Sequence, residues 1–257
     1  MTEEKLVFPH PGLRVKRVPL DRPWMWLARG WQDLREAPAP ALAYGAALVG
    51  LSSVVTIALM LSGLIYLILP LAAGFFLVAP VIAVGLYEIS RRRELGLETY
   101  LPDIFGAWRR NTAQIVLLGL MLMLVHLVWI RTAMLLFALF FYRGNPGWDG
   151  MIQALLFSPV SLPFLVTGTL VGAVLAALTF AITAVSIPML LDRPVNVFTA
   201  IATSWTAVTV NWRPMALWAA LIVFFTGLGL VTFYLALAVT VPLIAFASWH
   251  AYRDLVS

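Results

Sequence analysis

Long apolar stretches alternate along the chain with short charged ones, and the apolar stretches have the length that suits hydrocarbon better than water. Six of them, about 41–63, 65–88, 113–133, 163–189, 214–231 and 233–251, reach the ~20 residues that an α-helix needs to cross a bilayer core. The first two are divided only by "LSGLIY" and the last two only by "TGLGLVT", neither of them charged, so each pair is expected to turn back at a membrane surface as a helical hairpin. The pattern predicts an all-α, polytopic membrane protein whose six transmembrane helices form three hairpins.

The polar stretch before each odd-numbered helix has a pattern of its own. Trp24, Leu27, Trp31 and Leu34 register with Leu101, Ile104, Trp108 and Asn111, and these with Phe198, Ile201, Trp205 and Val208. Spacing of i, i+3, i+7, i+10 puts each set on one helical face, which predicts a short cytoplasmic interfacial helix ahead of every hairpin, with a tryptophan at the same place each time. Pro80, Glu88 and Arg91 are spaced as Pro242, His250 and Arg253 are, which makes Glu88 and His250 equivalent helix ends. Two readings stay open: a triplication over 23–92, 100–192 and 197–253, or chance periodicity in so apolar a sequence. In either case residues 1–22 read as a cytoplasmic N-terminal segment and 23–256 as a single membrane domain.

Composition agrees, since 62% of the 257 residues are hydrophobic and 11% charged, with mean hydropathy +0.94. Charge then gives the orientation. Lys and Arg number 7, 5, 2 and 1 in the N-terminal segment, the loops after the second and fourth helices, and the C-terminus, against Arg143 on the other side with Arg131 to be placed. The positive-inside rule puts both termini in the cytoplasm. The net charge of +5 is therefore read as topology and lipid contact, not nucleic-acid binding. The first residues carry charges and prolines where a signal peptide needs an apolar region, so no cleaved leader is expected.

Candidate chemistry is sparse. Cysteine is absent, which removes disulfides, thiolate nucleophiles and Cys-ligated metals. His126 and His250 fall at depths too different to share an ion, so no metal and no cofactor is expected. No HExxH, buried aspartate pair or phosphate loop is present, so no catalytic residue is named and no enzyme is expected. Glu88 with Arg91, Asp192 with Arg193, and His250 with Arg253 lie at the cytoplasmic ends of the even helices, where a threefold arrangement brings them to one depth as a binding or gating site, or as plain helix-end charge pairing. His126 reads as a hydrogen-bonded interior residue. Arg131 falls roughly 27 Å along the third helix, near the outer rim, where Asp149 is its natural partner, and "TAMLLFALFF" after it is expected to leave the helix and lie along the surface. Gly168, Gly172 and Ala176 suggest a close-packing face on the fourth helix.

The segments "LPLAAGFFLVAPVIAVGLYEISRRRE", "SIPMLLDRP", "ATSWTAV", "MALWAALIV" and "SWHAYRDLV" resemble a bacterial family of integral membrane proteins called domain of unknown function 2189, over roughly residues 22–256. The resemblance implies the bacterial inner membrane and carries no established activity or site residues. The label cytochrome c oxidase subunit I-like, sometimes given to members, does not suit a chain with two candidate membrane histidines, because a haem-copper core needs a larger ligand set. The three-hairpin plan is loosely similar to mitochondrial carriers, whose signature is absent here. The expected function is non-enzymatic: a multi-pass protein acting through membrane lipids and other membrane proteins, as an accessory, assembly or organising factor. The alternative is a transporter of small molecules or lipids.

Overall fold

A computed structural model describes residues 13–64, 68, 71, 81–141 and 158–257, the side chain of Leu101 excepted. The elements among them are α1 Arg22–Glu36, α2 Pro38–Leu61, α3 Val84–Glu94, α4 Leu101–Gly106 with a 3-10 turn Ala107–Arg109, α5 Thr112–Phe140, α6 Ser161–Thr183, α7 Ser186–Asp192, α8 Val197–Val210, α9 Trp212–Val231 and α10 Leu237–Leu255. An isolated antiparallel bridge joins Val15 to Val256.

Among the described residues, four helices are long and apolar enough to cross a bilayer: α2, α5, α6 continued by α7 (Ser161–Asp192), and α9. They coincide with the first, third, fourth and fifth of the expected crossings. The second falls mostly outside the described residues and is seen at its end as α3. The sixth falls on α10, a 19-residue helix that is not among the four and whose last turns carry Trp249, His250, Tyr252, Arg253 and Asp254. Pro188 explains the break between α6 and α7. It stands third in α7, and its ring cannot tolerate the carbonyl of residue 184 in a continuous helix, so Ala184 and Val185 turn instead. Between α9 and α10 the chain reverses through Thr232–Ala236, with Phe233 and Tyr234 in the left-handed region at φ 51° and 72°.

The three short helices form where the periodicity predicts them. In α1, Trp24 and Trp31 are exposed, Leu27 is half-buried and Leu34 buried; in α8, Phe198 and Trp205 are exposed while Ile201 and Val208 are half-buried. In the middle one the face is turned: Ile104 is buried, Trp108 and Asn111 are half-buried, and Phe105 is exposed. Beyond Gly106 the 3-10 geometry advances each residue ~120° and shifts the phase of Trp108 and Asn111 against the residues before it.

The apolar run after Arg131 corrects the expectation. It does not leave the helix: α5 runs unbroken for 29 residues to Phe140. Residues 132–140 contain no proline or glycine to end the hydrogen-bond ladder. The run also has a packing role, because Phe137, Phe140 and Phe141 meet Phe164 of α6 at ring-centre distances of 6.2, 5.8 and 5.3 Å. A helix longer than the core can tilt or protrude instead of breaking. On α6, Gly172 accommodates Trp129, whereas Gly168 has nothing within 4 Å of its missing Cβ among the described residues.

The chain divides into two compact units. One is built from the described parts of Met1–Val55, Pro80–Leu118 and Phe180–Ser257, the other from those of Thr56–Ala79 and Gly119–Thr179. In the first, α1 lies along α10 so closely that Gly30 faces the backbone of Leu243 and Ala247. Beneath this contact Trp26 is fully buried, edge-on to Trp218 at 5.9 Å, and its indole N–H donates to Asp254 at 3.0 Å. The extended residues ahead of α1 pair with the chain end: the amide of Lys16 donates to the Leu255 carbonyl at 2.8 Å and that of Ser257 to the Arg14 carbonyl at 3.1 Å.

Candidate functional site

Three helix ends carry the charged residues that the spacing singled out: α3, α7 and the last turns of α10, all in the first unit. The end of α3 is set by Gly96, whose φ of 68° permits the amides of Gly96 and Leu97 to close on the carbonyls of Arg93 and Arg92. The three arginines before this stop are consecutive, so successive side chains point ~100° apart around the helix. They fan out. Arg91 reaches Glu88 at 3.3 Å and Asp192 of α7 at 3.6 Å, Arg92 reaches Asp103 of α4 at 3.0 Å, and Arg93 reaches Asp33 of α1 at 2.6 Å and, beside it, Glu36.

Asp33 is the inner node. Its carboxylate is 6% exposed and accepts from the Ser90 hydroxyl at 2.5 Å, the Arg93 guanidinium, and sits 2.9 Å from His250 Nε2. The other ring nitrogen of His250 lies 3.8 Å from Glu94, which in turn holds Arg253 at 3.0 Å. Glu88, 1% exposed, accepts from Arg91 and from Arg110 at 3.1 Å. Asp192 gathers Arg91, Arg193 at 3.9 Å, Arg253 at 3.4 Å and the Tyr252 hydroxyl at 2.7 Å. That hydroxyl also accepts from Arg193 Nε at 3.0 Å. Burial first, and the Asp192 carboxylate second, push the Tyr252 phenol above its ordinary range, so it serves as a neutral donor at physiological pH.

All six residues proposed from the sequence as a binding or gating set, Glu88, Arg91, Asp192, Arg193, His250 and Arg253, thus enter one network. Sequence reasoning missed Asp33, Glu36, Ser90, Arg93, Glu94, Arg110 and Tyr252. One signal was available: Asp33 stands apart from the tryptophan face of α1, and a charged residue on the other side of an amphipathic helix needs a partner inside. The guanidiniums of Arg91, Arg93, Arg110, Arg193 and Arg253 match the carboxylates of Asp33, Glu36, Glu88, Glu94 and Asp192 in number. A cluster balanced in this way is electrically neutral, apart from any proton on His250, and cross-links four helices. No group of side chains able to hold a metal ion is found among the described residues.

Two of the remaining polar candidates, Arg131 and His126, belong to the second unit. Arg131 is exposed and has no ion pair among the described residues; Asp149, its expected partner, lies outside them. His126 is half-buried on α5, and the hydrogen bond expected of it is not found among the described residues: its Nδ1 is buried with no partner there.

Two amides order the chain around the hub. Asn111, at the foot of α5, donates to the carbonyls of Leu190 and Val195 at 3.3 and 3.1 Å, and Gln114 accepts from the Val197 amide at 2.8 Å. Asn211, at the foot of α9, donates to the Lys16 carbonyl and accepts from the Val18 amide, both at 2.9 Å. Each clamps the segment leading into the next short helix: Asn111 the approach to α8, and Asn211 the approach to α1.

A comparison with family models matches residues 68–192 to a family described as "Predicted integral membrane protein (DUF2189)", a narrower stretch than the 22–256 over which the motifs suggested a likeness. No curated protein and no solved structure matches the chain.

Proposed function

We propose, from the match of residues 68–192 to the DUF2189 family of predicted integral membrane proteins, that the protein is a non-enzymatic membrane organiser whose ionic hub is a permanent fastener. One observation carries the reading: each hub carboxylate is engaged by an arginine, and most by two or more side chains, across α1, α3, α7 and α10. A gate must break its contacts in every cycle, and removing one partner from a buried pair costs ~3–5 kcal/mol. A lattice of linked pairs is better suited to holding than to opening. The fastened end then leaves the protein's apolar flanks and exposed rim indoles, Trp24, Trp31 and Trp205, to meet lipid and other membrane proteins.

The finer architecture belongs to the same proposal. Six crossings in three hairpins, a bacterial inner-membrane location and cytoplasmic termini rest on the apolar lengths and on the Lys and Arg bias. Asn111 and Asn211 stand immediately before α5 and α9 as Ala37 stands before α2, which supports a threefold repeat, with Asn111 three residues nearer its tryptophan than the other two are to theirs. The exposed tryptophans of α1 and α8 support their lying at the interface.

A second reading, transport with the hub as its gate, draws on one feature: the expected second and fourth crossings break short of the hub, at Ala83 and at Ala184–Val185, and the continuous α10 carries Pro242 inside it, as hinged transporter helices do. Single cysteines decide between the two, in a background free of native cysteine. With an impermeant thiol reagent, Asn145→Cys is expected to label in intact cells and Leu95→Cys only in inside-out vesicles. Ser90→Cys, in the hub, should stay unlabelled in both. Labelling of Ser90→Cys at a rate near that of Leu95→Cys would replace the fastener by the gate, and reversal of the Asn145 and Leu95 results would invert the topology.

A further inference from the structure

The first unit has a cleft outside the hub, of about 270 Å³, lined by Arg17, Val18, Leu20, Asn211, Trp212 and Arg213, with Val210 and Pro214 at its edge. Its shape is fixed by a buried group. Asn211, 3% exposed, ties the backbone of Lys16 and Val18 to the junction of α8 and α9, which brings Arg17 and Arg213 to the same cleft. Both guanidiniums are exposed, and neither has a carboxylate partner among the described residues, whereas the arginines of the hub are all paired. The Arg213 guanidinium lies 5.2 Å above the Trp212 ring, which orients the cation without neutralising it.

The apolar half of the cleft is as telling as the charged half. Trp212 and Leu20 are 62% and 56% exposed, and Trp212 opens α9, a helix long enough to span a bilayer. At the end of such a helix an exposed indole marks headgroup depth. Two unneutralised guanidiniums recognise a phosphate through planar paired donors, and the neighbouring Leu20 and Trp212 suit the glycerol and upper acyl region of an amphiphile. The volume lies below the ~300 Å³ at which sites for drug-sized ligands begin, so it takes one headgroup phosphate and not an extended molecule.

We propose that this cleft is a binding site for the phosphate of an anionic phospholipid headgroup, held between Arg17 and Arg213. The proposal rests on the reading that the protein works through lipid contacts, but not on the hub's being permanent.

Native mass spectrometry of the full-length chain in mild detergent tests it, with phosphatidylglycerol and phosphatidylcholine of equal chain length as probes. The wild type is expected to keep one phosphatidylglycerol at least about tenfold more tightly than phosphatidylcholine. Arg17→Gln with Arg213→Gln should erase that preference, and so should Leu20→Trp, which fills the cleft and leaves the charge unchanged. Arg29→Gln with Arg109→Gln, which removes equal charge elsewhere, should not. An excess of inorganic phosphate separates the sources: retention against it identifies the lipid headgroup, and displacement by it identifies the same anion site as one for free phosphate. Equal retention of phosphatidylglycerol by the Arg17 and Arg213 variant, or equal loss in the charge-matched control, would overturn the site. These variants lie outside the hub and should melt with the wild type, so a failed lipid result leaves the fastener standing.

Discussion

Gly45→Leu is expected to yield no monodisperse protein after detergent extraction, and Gly45→Ala to lower the thermal midpoint sharply, both read by fluorescence-detected size exclusion after heating. The reason is backbone against backbone. A Cβ at Gly45 of α2 would stand 2.1 Å from the carbonyl oxygen of Ala238 and 2.8 Å from its Cα, atoms of α10 that no rotamer change can move. Overpacking ordinarily costs ~1–3 kcal/mol, and a contact with rigid backbone belongs at or above the upper end. In a membrane, where close approach of helices supplies much of the association energy, the lost packing adds to the strain. Gly50, on the same helix, has no described residue within 4 Å of its missing Cβ, so Gly50→Ala should be neutral or raise the midpoint, as the better helix former. Equal effects at Gly45 and Gly50 would show that α2 and α10 do not meet at Ala238.

Asp33→Ala is the second large effect, expected to cost about 3–5 kcal/mol because it empties a buried carboxylate site, leaving the Ser90 hydroxyl and His250 Nε2 without their acceptor and Arg93 with Glu36 alone. Asp33→Asn keeps the shape and two acceptor lone pairs, and should lose less. The informative variant combines Asp33→Asn with His250→Gln. These residues are 217 apart in sequence yet share one hydrogen bond, so their combined loss should fall short of the sum of the single losses. Chemical or thermal denaturation in one detergent measures all four corners of the cycle, and strict additivity would remove the inner node from the network.

These two sites show what the sequence discloses and what it hides. Glu88, Asp192 and His250 were legible because hydropathy marks where helices end, and a charge at a helix end has few places to go. Asp33 was not, since its partners depend on how α1 lies against α10, and that is set by Gly30 meeting Ala247, a contact without periodicity. The fan of Arg91, Arg92 and Arg93 was hidden for a related reason: the run reads as one basic cluster, yet helical geometry sends each side chain to a different carboxylate. The continuation of α5 past Arg131 turned on Phe164, which stands 27 residues further along than Phe137 and whose ring packing no local pattern announces. The break before α7 was legible in principle, through Pro188.

If α3, α7 and the end of α10 are one fastened body, their amides open together and share one protection, which hydrogen–deuterium exchange of the full chain in lipid nanodiscs measures directly. Residues 84–94, 186–192 and 243–255 are then expected to exchange in the same slow class, with Asp33→Asn speeding all three together. Exchange of 186–192 on its own faster schedule, unaltered by Asp33→Asn, would contradict a single fastened body.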